Sequence, residues 1–365
     1  MTDWDTTIDF AGRELHTVWL RDHCTCPSCR HPSSGQKLLD LTRDGVSWQP
    51  ENVERRHGGL LIEWAESPRH SSFYPRDWLA RHAIGGPDLQ DLPPRGRAQY
   101  WTGNELDPDA LRWHGLEDDP NGWLDDLDRL GFALFEKVEL HRLDRFMEAI
   151  GPLHYTEYGR WAHIRNVDGA NDLAETGYGL TPHTDYSTYM PVWPLLQVMY
   201  FARNETDAGE SLLVDGIRVA MDLRERNRED FELLATCPVE FRQRYDDWQY
   251  RFVRRRTVIE RGPADEICGF YFGHSHAYDW HLPFDVTGAY YRAYCHLLDM
   301  VQSPKYALAL RIPTGCAVAV KNSRVLHGRH AFTGQRERHL ITGYVPLEYV
   351  GARRRFLADQ QGRHD

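Results

Sequence analysis

The chain has no apolar run approaching the roughly eighteen residues of a membrane-spanning helix, which argues against a helical span. Its first ten residues, Met1 to Phe10, are acidic and lack the apolar centre of a secretory signal, so the cytoplasm is the expected address. A net charge of −11 leaves no general basic footprint for nucleic acid. The local runs Arg254-Arg255-Arg256 and Arg353-Arg354-Arg355 read as solvated faces. Internal repeats and low-complexity tracts are absent. The seven cysteines are not spaced as a secreted disulfide framework: Cys24, Cys26 and Cys29 cluster, while Cys237, Cys268, Cys295 and Cys316 stand singly. The cluster suggests a metal; the single cysteines read as small buried residues.

What is present is an ordinary globular mixture, 41% hydrophobic and 27% charged, over 365 residues. That length favours one large domain with a smaller companion. The Pro-, Gly- and charge-rich segment from Ile84 to Gly103 marks the junction. The expected organisation is a small metal-binding domain over 1–90, a linker over 91–104 and a larger domain over 105–365. In the small domain Leu60 to Trp64 reads as a strand and Pro75 to His82 as a short helix. Apolar residues recurring at three and four predict helices over Gly122 to Leu130 and His141 to Ile150. Beyond residue 150 short strand-like runs dominate, among them Leu195 to Tyr200, Ala317 to Val320 and His339 to Val345. Strands in series with flanking helices predict a mainly β (α+β) fold, a cupin-like jelly-roll rather than alternating βα units.

Cys24-Thr-Cys-Pro-Ser-Cys29 offers three thiolates that a tight turn can aim at one ion. A closed structural zinc site needs four ligands, and three cysteines with one histidine form a common set. His31, His57 and His70 are the candidates for the fourth. His31 sits on a loop short enough to strain a tetrahedron, whereas His70 follows the Leu60–Glu66 strand and could return on a hairpin. A domain this small gains from a metal staple, which favours a structural role over a catalytic one.

A second constellation is His183-Thr184-Asp185 with His327 far downstream. In an extended strand residues i and i+2 share a face, so His183 and Asp185 can address one metal from one strand. Two imidazoles and a carboxylate leave three cis positions open, which suits iron(II) and O₂. The tripeptide alone is weak, since about one is expected by chance among the nineteen histidines. Its context strengthens it. An apolar strand delivers His327, and a following strand places Arg338, Leu340, Thr342 and Tyr344 on one face. An arginine there can grip a dicarboxylate co-substrate through its planar fork.

Together these motifs resemble the γ-butyrobetaine and trimethyllysine dioxygenases, within the taurine dioxygenase-like superfamily, over nearly the whole chain. Leu20 to Cys29 is similar to the family's zinc motif, and Pro68-Arg-His-Ser-Ser-Phe73 to the segment carrying its histidine ligand, which implies His70. Pro182-His-Thr-Asp-Tyr186 and Arg324-Val-Leu-His-Gly-Arg329 resemble its iron motifs, and Arg338-His339-Leu340 its 2-oxoglutarate arginine. Gly209 to Gly216 resembles the segment that bonds the co-substrate's other carboxylate, which implies Ser211. The resemblance implies a double-stranded β-helix, Fe(II), 2-oxoglutarate and O₂, structural Zn(II), ascorbate as reductant and a homodimer.

The resemblance also implies an aromatic cage for a cationic group, held by cation–π attraction. Tyr158, Tyr186 and Tyr344 match its positions. Ala162 stands where the family has a tryptophan, with Trp161 beside it; Glu175 replaces a tyrosine, and Asp172 occupies a place filled by asparagine or aspartate. Acids there would favour an amine that retains an N–H. The expected activity is hydroxylation of a small cationic or zwitterionic amine or betaine, with succinate and CO₂ released. γ-Butyrobetaine hydroxylation proper and a non-catalytic cupin-like sensor are the alternatives.

Overall fold

The structure, a computed structural model, describes residues 4–82, 98–116, 118–119, 121–167, 173–187, 194–206, 208–245, 249–277, 280–332 and 337–361. Residues 91–97 of the expected linker, and Asp172, lie outside the described residues. The chain divides into two compact units, Met1–Arg95 and Gly96–Asp365.

In the first unit, strands β1 (Thr7–Phe10) and β2 (Arg13–His16) form a hairpin that leads into helix α1 (Thr17–Asp22). Strands β3 (Pro50–Arg56), β4 (Gly59–Trp64) and β5 (His70–Pro75) make an antiparallel sheet, followed by helix α2 (Arg76–His82). Alternation on β4 turns Leu60, Ile62 and Trp64 inward, where they pack with Leu20, Tyr74 and Leu79. Pro75 closes β5 rather than opening the helix expected there. The β4–β5 register sets Trp64 opposite His70, so the hairpin return delivers that histidine.

The second unit opens with β6 (Trp113–His114), α3 (Gly122–Leu130), β7 (Phe132–Phe135), α4 (Leu143–Ile150), β8 (Ala162–Arg165) and β9 (Leu180–His183). There follow β10 (Leu195–Asn204), β11 (Ser211–Asp215), α5 (Gly216–Arg226), α6 (Arg228–Thr236), the hairpins β12 (Val239–Tyr245)–β13 (Tyr250–Arg256) and β14 (Ile259–Arg261)–β15 (Ile267–Phe270), and α7 (Phe284–Gln302). The chain continues through β16 (Ala307–Leu310), β17 (Ala317–Lys321), β18 (Val325–Arg329), β19 (Arg338–Pro346) and α8 (Leu347–Gln361). The helix expected from His141 starts at Leu143, preceded by a single 3₁₀ turn. Gly131, at φ +81°, ends α3 in the left-handed conformation.

Two sheets dominate this unit, a six-stranded one in the order β6-β7-β17-β10-β19-β8 and a four-stranded one in the order β16-β11-β18-β9. Between them lies an apolar layer containing Phe132, Leu134, Met199, Phe201, Leu213, Val318, Val320 and Leu340. The opposite face of the larger sheet carries Leu196, Val198, Tyr200, Ala319 and Ile341 against α3 and α4. Both faces of β10 are therefore covered, which explains its near-continuous apolar run. The smaller sheet is backed by α5, α6 and α7. The result is mainly β with flanking helices.

A buried ion pair ties this layer together. Arg324, just before β18, donates to Asp215 at the end of β11, with Nη2 to Oδ2 at 2.9 Å. Asp215 also caps α5 by accepting from the backbone of Ile217 and Arg218. Burial pushes the Asp215 carboxyl up despite the arginine, so removing Arg324 would leave a costly buried charge.

Candidate active site and metal centres

Within the first unit, Cys24, Cys26, Cys29 and His70 converge, their ligand atoms all within 4.8 Å of one another. The His70 Nε2 lies 3.3, 3.7 and 3.6 Å from the three sulfurs in chain order. Tetrahedral zinc with ordinary Zn–S and Zn–N bonds separates N from S by about 3.5 Å, so the donor set fits zinc. Arg21 supports the cluster: its Nη1 donates to Cys29 Sγ at 3.3 Å while its Nη2 pairs with Glu66 at 2.9 Å. Burial and the nearby Arg21 hold His70 below the usual histidine range, favouring the neutral form a metal needs. His31 is instead an exposed acceptor for Ser34.

The second centre lies between the two sheets of the larger unit. Antiparallel pairing sets His183 on β9 directly opposite His327 on β18. Gly328 permits that close approach: a Cβ there would lie 2.5 Å from the Leu180 carbonyl oxygen. His183 Nδ1 donates to the Thr181 carbonyl at 2.9 Å, which leaves Nε2 as the lone-pair nitrogen. Burial pushes His327 down to about 4 against the opposing pull of Asp185, so its imidazole is neutral at physiological pH. Asp185 Oδ1 lies 3.4 Å from His183 Nε2 and 3.6 Å from His327 Nε2. Burial alone would raise the Asp185 carboxyl, but His327, His183 and Tyr344 outweigh it and hold it well below the usual range.

The expectation that one strand presents both His183 and Asp185 is corrected. The strand β9 ends at His183, and Asp185 stands in the turn that follows, with Tyr186 at φ +59°. The turn is fixed from outside: Asn322 accepts from the Asp185 backbone N–H at 3.0 Å and donates to its carbonyl at 2.9 Å. A side-chain clamp thus does what strand alternation was expected to do.

The triad opens onto a cavity whose wall includes Ile164, Ser211, Leu213, Arg338 and Leu340. Arg338 is buried, and among the described residues no acid pairs with it; its Nε is a buried donor without a partner. Burial, with Arg329 nearby, brings Arg338 down to about 10, so it remains cationic at neutral pH. A buried, unpaired guanidinium facing a metal-binding triad fits a carboxylate-bearing co-substrate. Arg329 also reaches the wall, but it donates to the carbonyls of Leu173, Ala174, Thr176 and Tyr178.

The expected cage residues are partly assembled. Tyr186 and Tyr344 meet edge to face, with ring centroids 4.7 Å apart. Tyr158 is exposed in the turn after Thr156. Trp161 is corrected: its ring packs against Gly343, on the sheet face opposite the cavity, and its Nε1 donates to Asp144 at 2.9 Å. Ile164 of β8 lines the cavity and alternation turns Ala162 the same way, whereas Trp161, just before the strand, packs with the cluster on the other face of the sheet. Ala174, not the half-buried Glu175, reaches the cavity wall. Sequence reasoning passed over Gln197 and Asn322; the signal for the first was a lone amide inside an apolar strand.

An iron-type facial triad with a buried arginine across the same cavity defines a 2-oxoglutarate-dependent dioxygenase, for which Fe(II) and 2-oxoglutarate are cofactor and co-substrate. The chain belongs to the taurine catabolism dioxygenase TauD, TfdA family, which matches residues 92–344, while residues 4–80 match the gamma-butyrobetaine hydroxylase-like N-terminal family. It is 28% identical to the mitochondrial trimethyllysine dioxygenase of Gallus gallus over 329 residues, covering 88% of this chain and 78% of that one. It is 27% identical to the gamma-butyrobetaine dioxygenase of a Pseudomonas species over 374 residues, covering 95% and 91%. The crystal structure of an asparagine oxygenase aligns with a TM-score of 0.50 at 16% identity, over 63% of this chain and 78% of that one, a likeness of fold.

Proposed function

We propose that the protein hydroxylates an unactivated C–H bond of a small cationic or zwitterionic amine or betaine, with His183, Asp185 and His327 as its iron ligands. The observation that carries this reading is the buried, unpaired Arg338 lining the same cavity as the triad. The two facing sheets are read as a double-stranded β-helix of the jelly-roll type, spanning 105–365. Bound iron(II) and 2-oxoglutarate supply the oxidising power for O₂-dependent hydroxylation, with succinate and CO₂ as co-products.

The chain's own residues bind, orient and exclude water. Arg338 anchors the distal carboxylate of 2-oxoglutarate through its fork, and Ser211, at the start of β11 in the facing sheet, lines the same cavity and hydrogen-bonds the co-substrate. Met199, Phe201, Leu213 and Leu340 keep the cavity apolar, which strengthens that charge pairing and limits solvent access. Tyr344 donates to Asp185 and packs edge to face on Tyr186, which brings two aromatic rings close to the triad. The relatives named for trimethyllysine and γ-butyrobetaine support the same class. Cys24, Cys26, Cys29 and His70 hold a structural zinc.

Ala174, and not Glu175, Tyr158, Tyr186 or Tyr344, is among the wall residues, so the substrate class rests on the relatives named for trimethyllysine and γ-butyrobetaine. Succinate release should be stimulated by compounds bearing a methylated or primary ammonium group and not by matched neutral isosteres. Equal stimulation by the neutral isosteres would overturn the substrate class and leave the oxygenase reading standing.

A further inference from the structure

One carboxylate oxygen of Asp185 faces the two imidazoles; the other faces the protein. Oδ2 accepts from Gln197 Nε2 at 2.6 Å and from the Tyr344 hydroxyl at 2.5 Å. Both donors come from the larger sheet, where the β10–β19 register sets Gln197 opposite Tyr344. Gln197 is 2% exposed and Tyr344 4%, so neither bond competes with bulk water. The amide also lies 3.4 Å from Thr342 Oγ1 and 3.3 Å from the Tyr344 oxygen, which ties the two donors into one unit.

We infer that Gln197 and Tyr344 are positioning residues that restrict Asp185 to metal coordination through Oδ1 alone. A carboxylate can bind a metal through one oxygen or two. Two would occupy a further coordination position, while the chemistry needs three cis positions open for the co-substrate and O₂. Two short charge-assisted donors on Oδ2 hold the carboxylate plane and make rotation toward chelation unfavourable. The Asn322 clamp holds the backbone of the same residue, so the carboxylate is fixed at both ends. Tyr344 thereby has two faces of use: its ring packs on Tyr186 and its hydroxyl orders the metal ligand.

The inference rests on the triad being the iron site. The test is Co(II) titration of the metal-stripped triad in full-length protein with its zinc centre intact, followed by visible absorption and calorimetry, with and without 2-oxoglutarate. Tyr344→Phe removes one oxygen and keeps the ring, so it decides the matter even if Gln197→Leu folds poorly. Loss of an outer-shell partner is expected to weaken Co(II) binding about 10- to 100-fold. Both single variants should also alter the d–d spectrum and weaken 2-oxoglutarate binding to the Co(II) protein. The double variant should lose less than the product of the singles, because both donors serve one oxygen. Wild-type affinity and an unchanged spectrum in Tyr344→Phe would overturn the inference. Failure of the wild type to bind Co(II) at the triad would instead overturn the iron-site reading itself.

Discussion

Two arginines reach the cavity, and their surroundings divide the work between them. Arg329 donates to four backbone carbonyls of the segment from Leu173 to Tyr178, which commits it to holding that segment against the wall. Among the described residues Arg338 has no such partner, and its buried charge on the cavity wall is suited to a carboxylate. Arg338→Ala should weaken 2-oxoglutarate binding by about 10- to 1000-fold, the worth of one or two charge-assisted hydrogen bonds. Arg338→Lys should recover part of it, since a point charge cannot reproduce the fork. The same substitution removes a buried cation that faces only the Phe201 and Phe332 rings and no acid among the described residues, so co-substrate-free Arg338→Ala should unfold no more easily than wild type. Thermal unfolding with and without 2-oxoglutarate reads both effects: co-substrate should stabilise the wild type and not the variant. Co-substrate stabilisation retained in Arg338→Ala would reassign the anchor.

At the scale of elements, the zinc-type cluster shows what hairpin geometry contributes. The cysteines sit in the turn after α1, and the fourth donor arrives on β5 because its pairing with β4 is registered at Trp64 and His70. Metal analysis should find about one zinc per folded chain besides exchangeable iron. His70→Ala should lower that content and the melting temperature of the first unit. Succinate formation per folded molecule should be nearly unchanged, since this centre is a staple. Full zinc occupancy in that variant would pass the role to His31 or His57.

The strands and helices with strong periodicity were legible in the sequence: β4, α3, β10, β17 and β19 fall where apolar spacing placed them. His183 and His327 were also legible as a pair of motifs. The route by which Asp185 joins them was not, because it depends on Asn322, distant in sequence and unremarkable in its own turn. Trp161 misled for a simpler reason. Adjacent residues on a strand face opposite ways, so an aromatic beside a cage position points out of the cage. Gln197 was hidden inside an apolar strand whose other residues explain themselves as core.

For the molecule as a whole, a small zinc-type unit and a two-sheet unit each carry one cluster of metal-binding side chains, with different logic. The first is closed by four protein donors; the second supplies three and opens onto a cavity. The central claim is that this open centre holds iron together with chelating 2-oxoglutarate. Its most direct test is an anaerobic titration of the protein with Fe(II) and then 2-oxoglutarate, followed by visible absorption. A weak charge-transfer band should appear only when both are present, saturate at about one equivalent of iron at the triad, and vanish in His327→Ala. Absence of that band in well-folded wild-type protein, or its persistence at full strength in His327→Ala, would contradict the account.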